Sequence, residues 1–123
     1  MTEADTCREF VTPSLVGAGW GAAESVIGEQ HSFTNGRIIV AGGKVRRGKQ
    51  RRADYLLYYR RDLALAVVEA KEVGLPAETG VQQAREYAEM LGLKFAYATN
   101  GHRIIEIDYT TGTERDVDRY ASP

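Results

Sequence analysis

Residues 53–59 read ADYLLYY and residues 65–71 read LAVVEAK, and these two runs decide the fold. Both are rich in Leu, Val, Ala and Tyr, a composition that favours buried strands. A charged side chain in such a strand is costly unless it is paired or used. The two runs nevertheless contain Asp54, Glu69 and Lys71. Because side chains two apart on a strand share a face, Glu69 and Lys71 are predicted on one side of the sheet.

A hairpin with Arg61 and Asp62 at its tip would bring all three charges together. In that register Asp54 lies directly opposite Glu69, at about 5 Å. Two carboxylates and an ammonium suit a hard divalent cation such as Mg²⁺, which takes oxygen ligands and keeps several waters. A water activated by the metal is a reasonable nucleophile for phosphodiester hydrolysis. Lys71 would orient that water or stabilise the charge developing on phosphorus.

The alternative interpretation is structural. Lys71 would form a buried ion pair with Glu69 or Asp54, and such a pair contributes little net stability. One lysine cannot neutralise two close carboxylates, so one of them would have a raised pKa or the site would recruit a cation.

Composition predicts one globular domain over residues 1–123. Apolar residues make up 43% of the chain, charged residues 27%, and the formal net charge is -1, all ordinary values for a globular domain. No apolar run is long enough for a transmembrane helix, and the acidic, polar start does not resemble a secretory signal. The single cysteine, Cys7, excludes an internal disulfide and fits a cytoplasmic location. We expect Cys7 to pack in the core and not to act as a nucleophile.

Periodicity and turn residues predict an α/β fold with a central mixed β-sheet flanked by helices. The segment between Lys71 and Phe95 is long enough for a parallel crossover. The polar tail from about residue 110 is expected to be loosely held. The predicted elements, in chain order, are a helix over 3–18 interrupted at Pro13, a short helical turn over 22–27, a strand or hairpin over 32–40 turning at Asn35–Gly36, the two site strands, a helix over 76–91, and strands over 94–99 and 102–109 joined by Asn100–Gly101.

A basic segment precedes Asp54. It lies in a predicted loop over residues 42–52 and concentrates positive charge on a chain of nearly zero net charge. Phosphate contacts of this kind supply sequence-independent affinity for nucleic acid, and no recognition-helix signature points to base readout. The alternative is a solvated loop without a partner. The predicted DNA-binding residues are Lys44, Arg46, Arg47, Lys49, Arg51 and Arg52.

With Asp54 followed by Glu69-Ala70-Lys71, the chain resembles the PD-(D/E)xK nuclease superfamily, with Ala53 where that motif often has Pro. Within it, four spaced motifs resemble the N-terminal nuclease domain of type I restriction enzyme R subunits. These motifs are RADYLLY (52–58), AVVEAK (66–71), QAREYA (83–88) and ATNG (98–101), and the Gln-x-x-x-Tyr pattern on the helix is a mark of that group.

This resemblance implies a metal-dependent DNA endonuclease with a restriction-endonuclease-like core and no sequence specificity of its own. It implies Asp54, Glu69 and the Ala70 carbonyl as ligands of Mg²⁺, or alternatively Mn²⁺, and Lys71 as the catalytic lysine. Gln83 would support the site or contact DNA, and Tyr87 would pack or position beneath the site. The alternatives are a solvated helix residue for Gln83 and simple core packing for Tyr87. Glu3 would be an acidic helper, with Glu9 and Glu24 as rivals for that place.

The resemblance also implies partners. These are double-stranded DNA, helicase-type motor domains in the same polypeptide, and methylation and specificity subunits, with ATP used only by motor domains that this chain lacks. The chain has no Gly-x-x-x-x-Gly-Lys-Ser/Thr phosphate loop, so it is expected to be an N-terminal fragment of a larger translocase or a stand-alone relative. Its end at Ala121-Ser122-Pro123, where a linker to a motor would begin, favours the fragment. Two other hypotheses remain: a catalytically lapsed DNA-binding or subunit-docking module, and an unrelated α/β domain with a buried ion pair.

Overall fold

The computed structural model describes residues 2–34, 37–39 and 51–123. The expected turn at Asn35–Gly36 lies outside the described residues. So do four members of the basic segment, namely Lys44, Arg46, Arg47 and Lys49.

The described strands form one seven-stranded sheet in the order β2-β1-β3-β4-β5-β6-β7. Neighbouring strands are antiparallel except β4 and β5, which are parallel. The helix between β4 and β5 in the sequence therefore forms the predicted crossover, and the mixed α/β sheet is confirmed. The strands are β1 (Val26–Thr34), β2 (Arg37–Ile39), β3 (Arg51–Arg60), β4 (Leu63–Ala70), β5 (Phe95–Thr99), β6 (Ile104–Asp108) and β7 (Thr113–Val117).

The N-terminal helix has three parts: α1 (Glu3–Thr6), a π-helical stretch (Cys7–Val11) and α2 (Thr12–Gly17). The predicted interruption near Pro13 is present, since Pro13 occupies the first turn of α2, where its missing N–H costs least. In the wide turn before it, the Thr12 N–H donates to the Cys7 carbonyl five residues back.

The crossover helix begins with a 3₁₀ turn, Ala77–Gly80, and continues as α3, Val81–Leu91. It ends at Gly92, whose φ of 65° is the left-handed conformation that glycine adopts without strain. The predicted helix over 76–91 is confirmed.

Two apolar clusters cover opposite faces of the sheet. On one face, Ala84 and Ala88 of α3 pack against Leu56 and Val67. On the other face, Leu15 of α2 packs in a cluster with Tyr55. Because β3 and β4 contribute to both clusters, the two strands that carry the candidate site are buried on both sides.

Three expectations about loops and ends were wrong. The tail is not loosely held, because β7 pairs with β6 and Tyr120 is buried; the Trp20 Nε1–H also donates to the Ala121 carbonyl at 2.8 Å. Residues 22–27 do not form a helical turn, since β1 begins at Val26. The β5–β6 connection is not the expected two-residue turn at Asn100–Gly101. It has four residues, 100–103, and the Asn100 side chain accepts hydrogen bonds from the N–H groups of His102 and Arg103.

No helix in the described ranges is long and apolar enough to cross a membrane.

Candidate active site

The candidate site forms where β3 and β4 part. Their last residues paired before that point are Tyr55 and Val68. Beyond this pair, side chains replace the backbone ladder: the Asp54 N–H donates to Glu69 Oε2 at 2.9 Å, and the Ala70 N–H donates to Asp54 Oδ2 at 2.8 Å. Asp54 and Glu69 are thereby held side by side, as the hairpin register predicts.

Glu69 lies in an unfavourable electrostatic environment. It is 3% exposed, and burial followed by the negative charge of Asp54 raises its pKa to about 8. The hydrogen bond from the Asp54 N–H and the charge of Lys71 act in the opposite direction but do not compensate. One lysine therefore does not compensate the two adjacent carboxylates, and either a proton on Glu69 or a bound cation would relieve the repulsion between them.

Lys71 follows β4 directly, and its N–H donates to the Thr99 carbonyl on β5 at 2.8 Å. Its Nζ donates to Gln83 Oε1 at 3.4 Å, and Gln83 Nε2 donates to the Tyr87 hydroxyl at 2.8 Å. Gln83 and Tyr87 are one turn apart on α3 and share a face. The chain of contacts therefore links the ammonium of Lys71 to the crossover helix.

Tyr87 has a packing role as well. Its ring is 6% exposed and meets Phe33 edge-on, with ring centroids 4.8 Å apart. The expectation that Tyr87 packs and the expectation that it supports the site are therefore compatible. Gln83, whose alternative was a solvated helix residue, is bonded on both sides by its amide.

Among the acidic candidates of the N-terminal segment, Glu3 is the one that faces the site. Its pKa is raised by partial burial and by the charge of Asp54, and both residues line a cavity of about 660 Å³. Glu9 instead lies 4.0 Å from Arg8 on an exposed surface. Glu24 lines a different cavity with Tyr59, at the hairpin end of β3.

Cys7 lines the same cavity as Glu3 but packs against the apolar cluster beneath α2. Burial raises the pKa of its thiol to about 11, so the thiolate needed for nucleophilic attack is scarce at neutral pH. The expectation of core packing is confirmed.

Two members of the basic segment are described, and both belong to β3 and not to a loop. Arg51 and Arg52 pair with Phe33 and Ser32 of β1, which extends the strand two residues beyond the predicted start. Arg51 lies 3.4 Å from Glu86 of α3. Arg52, unlike Arg51, lines the cavity that Asp54 also lines.

Sequence reasoning missed Gln30, whose Nε2 donates to Asp54 Oδ1 at 3.3 Å. The predicted strand began at Ser32, so β1 was started six residues late and Gln30 was left outside it. No motif marks this residue. Only the pairing of β1 with β3 reveals its place.

The donor set fits a hard divalent cation. The carboxylates of Asp54 and Glu69 offer oxygen ligands, and burial, followed by the charge of Asp54, raises the pKa of Glu69, an effect that a bound cation would oppose. Within the described ranges, no group of three or more His, Cys, Asp and Glu side chains could hold a metal. A metal at Asp54 and Glu69 would therefore complete its shell with backbone carbonyl, water or substrate oxygens, as Mg²⁺ commonly does.

The fold and this edge define a class: a mixed α/β sheet that presents two carboxylates and a lysine where adjacent central strands part. Residues 25–119 match the family model described as "Type I restriction enzyme R protein N terminus". The chain belongs to this family.

Two relatives support this family membership. The chain is 36% identical over 110 residues to the type I restriction enzyme EcoAI endonuclease subunit of Escherichia coli, and the match covers 89% of the chain. It is 57% identical to a fragment structure of a putative HsdR subunit of a type I restriction enzyme from Vibrio vulnificus YJ016, with a TM-score of 0.87 over 100% of the chain. The chain spans only 14% of the first relative and 24% of the second.

Proposed function

We propose that this chain is a metal-dependent DNA endonuclease domain, the cleavage module of a type I restriction enzyme R subunit. One observation carries the proposal: Asp54 and Glu69 lie side by side at the parting of β3 and β4, and Lys71, whose charge acts on Glu69, follows two residues later and donates to Gln83. Three functional groups of this kind, presented by rigid strands, match the needs of phosphodiester hydrolysis. The family and the naming of the Escherichia coli relative as an endonuclease subunit support the same activity.

Asp54 and Glu69 would bind Mg²⁺, with Mn²⁺ as an alternative that takes the same oxygen ligands. The Ala70 carbonyl is proposed as a further ligand. The bound cation would supply Lewis acidity at the phosphate and lower the pKa of a water. Burial and the charge of Asp54 raise the pKa of Glu69 to about 8 in the metal-free chain, so metal binding would be coupled to the release of a proton from this carboxyl group.

Lys71 would stabilise the negative charge that develops on the phosphoryl oxygens during attack. Its ammonium can act there only if it is kept from pairing permanently with the carboxylates. The Gln83 amide, itself anchored on Tyr87, provides a neutral partner that positions Lys71 without neutralising it. Glu3 would adjust the charge on the Asp54 side of the site.

The substrate would be double-stranded DNA, held through its phosphates and without base readout. Arg52 lines the same cavity as Asp54, and the basic residues that precede it in the sequence would extend the contact with DNA. Motor domains that use ATP, together with methylation and specificity subunits, are proposed partners in the longer enzymes to which the relatives belong.

The first test is calorimetric titration of the chain with Mg²⁺ and Mn²⁺, alone and with a short DNA duplex. Wild type is expected to bind with a Kd of millimolar order or tighter, and Asp54→Ala to lose this binding. Glu106→Gln is the matched control, since it alters a buried carboxylate elsewhere in the same sheet. Absence of wild-type binding to either metal, with and without duplex, would contradict the proposal.

A second test separates the nuclease from the lapsed module. Lys71→Ala is expected to keep duplex affinity and metal binding while nicking of a supercoiled plasmid disappears. If wild type binds metal and duplex but its nicking rate equals that of Lys71→Ala, the binding-module alternative is supported instead.

A further inference from the structure

Gln30 has a backbone conformation that its side chain disfavours. Its φ is 54°, in the left-handed region, although it lies in the middle of β1. A non-glycine residue pays about 1 kcal/mol or more for this conformation, and such strain persists only where the surroundings impose it. Ala23, also with φ 54°, lies in a turn before β1, where irregular backbone is unremarkable.

The residues around Gln30 are closely packed. Its neighbour His31 folds back over Gly28, where an added Cβ would lie only 2.5 Å from the imidazole carbon Cε1. The imidazole forms a 3.1 Å hydrogen bond between His31 Nδ1 and the Tyr58 hydroxyl. Gly28, His31 and Tyr58 therefore pack together beside the point where β1 is irregular.

The irregular path has a consequence on the next strand. The β1–β3 ladder pairs Glu29 with Tyr55 and His31 with Ala53 but has no pair between Gln30 and Asp54. On β3, Ala53 packs in the cluster beneath α3, while Tyr55 packs in the cluster of the opposite face. Residues two apart on a regular strand would share a face, so the alternation of β3 is broken at Asp54.

Asp54 is therefore held from both neighbouring strands. Its Oδ2 accepts from the Ala70 N–H of β4 at 2.8 Å, and its Oδ1 accepts from Gln30 Nε2 of β1 at 3.3 Å. With one donor on each oxygen, the carboxylate plane is fixed between the two strands. Hydrogen bonds of this kind orient metal-binding carboxylates in many sites.

We propose that Gln30 is a positioning residue, presented by the strained turn of β1, that fixes the orientation of the Asp54 carboxylate for metal binding. This inference rests on the proposed function only for its metal-binding consequence. The hold of Gln30 on Asp54 is a property of the metal-free chain and is measured separately.

Two substitutions isolate the amide. Gln30→Met keeps the length of the side chain but cannot donate a hydrogen bond. Gln30→Gly also removes the donor and relieves the strained backbone. Ala23→Gly is the matched control, because it relieves the same φ far from Asp54. We expect both glycine variants to melt at a higher temperature than wild type, and Gln30→Met to remain folded.

The metal-free measurement is amide hydrogen exchange by NMR. Without Gln30 the Asp54 carboxylate is free to turn, so the Ala70 amide should exchange about twofold to tenfold faster in both Gln30 variants, the range expected for the loss of one hydrogen bond. The Lys71 amide, bonded to Thr99, is the internal reference and should not change. Unchanged exchange at Ala70 in both variants would overturn the proposal.

The second measurement is Mn²⁺ affinity with duplex present. Gln30→Met and Gln30→Gly should bind about tenfold more weakly, as is typical when a residue orienting a ligand is lost, and Ala23→Gly should match wild type. Faster Ala70 exchange with unaltered Mn²⁺ affinity would overturn the positioning role. If wild type itself binds neither Mn²⁺ nor Mg²⁺, the proposed function fails, while the exchange result still decides whether Gln30 holds Asp54.

Discussion

Glu69 and Glu106 are both buried in the same sheet, at 3% and 5% exposure, yet their surroundings differ. Glu106 lies on β6 directly between Tyr97 and Arg115, its partners in the β5 and β7 ladders. It accepts from the Tyr97 hydroxyl at 2.7 Å and from the Arg115 guanidinium at 3.4 Å. Glu69 instead has a second carboxylate beside it and a pKa raised to about 8.

The difference separates a structural acid from a candidate catalytic one. A buried carboxylate whose partners are supplied on both sides contributes to the packing of three strands. A buried carboxylate next to another acid costs stability, and such costs are tolerated mainly where function requires them. The exposed fraction of the side chain alone would not distinguish Glu69 from Glu106.

The largest predicted contrast is in DNA cleavage. Glu69→Gln should lower the plasmid-nicking rate about 100-fold or more, the scale expected when a charged group acting in the transition state is lost. Glu106→Gln should leave the rate within about twofold, because an amide can still accept from Tyr97. Equal losses in the two variants would remove the distinction between the sites.

The next contrast concerns the two connections that flank β6, one on the side of β5 and one on the side of β7. Gly101 and Gly112 both have positive φ, so each Ala substitution carries a backbone cost of about 1 kcal/mol. At Gly101 the added Cβ would also lie 2.9 Å from Thr6 Cγ2 and close to Phe10, whereas nothing lies within 4 Å at Gly112.

Gly101→Ala should therefore lower the free energy of unfolding by about 2–4 kcal/mol, against about 1 kcal/mol for Gly112→Ala. Urea denaturation measures both. Similar values would mean that the N-terminal helix, which carries Glu3, does not rest on the 100–103 loop.

Removal of the two acids should have opposite effects on stability. Glu106→Leu leaves the Tyr97 hydroxyl without its acceptor and should cost about 1–3 kcal/mol.

The pKa of Glu69 rises from its ordinary value of 4.5 to about 8, so the folded chain keeps a proton that the unfolded chain releases. Stability should thus fall as pH rises between these two values.

Glu69→Gln should remove this loss and raise stability at pH 8 by about 1 kcal/mol or more. The measurement is urea denaturation from pH 5 to 8 with EDTA present. A wild-type free energy of unfolding that stays constant from pH 5 to 8, or that rises with pH, would contradict a raised pKa for Glu69 in the folded chain.

The smallest predicted effect is at Tyr87. Tyr87→Phe keeps the edge-on packing against Phe33 but removes the hydroxyl that accepts from Gln83. We expect a stability loss of about 0.5–1.5 kcal/mol and a cleavage rate roughly threefold to tenfold lower, as Lys71 is held less firmly.

Tyr109→Phe is the control for Tyr87→Phe. It removes a hydroxyl that bonds Glu89 at an exposed position of α3, away from Lys71. Cleavage should be unaffected by Tyr109→Phe, and an equal reduction in both variants would show that the Gln83–Tyr87 link has no special role.

Much of the fold could be predicted because its signals are local. The tip at Arg61 and Asp62 fixes the β3–β4 register, and the spacing of Gln83 and Tyr87 places them on one helix face. The β7 pairing escaped prediction because its residues, TERDV, are polar and mostly exposed. An edge strand is stabilised by the ladder of its neighbour, which leaves little apolar pattern to read.

The sequence by itself predicted which chemical groups come near one another: the tight hairpin sets Asp54 opposite Glu69, and the period of two in β4 puts Lys71 on the same face as Glu69. Only the tertiary structure decided how they are held. The contact of Gln30 with Asp54 depends on β1 pairing with β3, and the contact of Lys71 with Gln83 depends on how the crossover helix packs. Glu106 has hydrogen-bond donors on both neighbouring strands, whereas Glu69 has a second carboxylate beside it. This difference depends on strands that meet only when the sheet assembles.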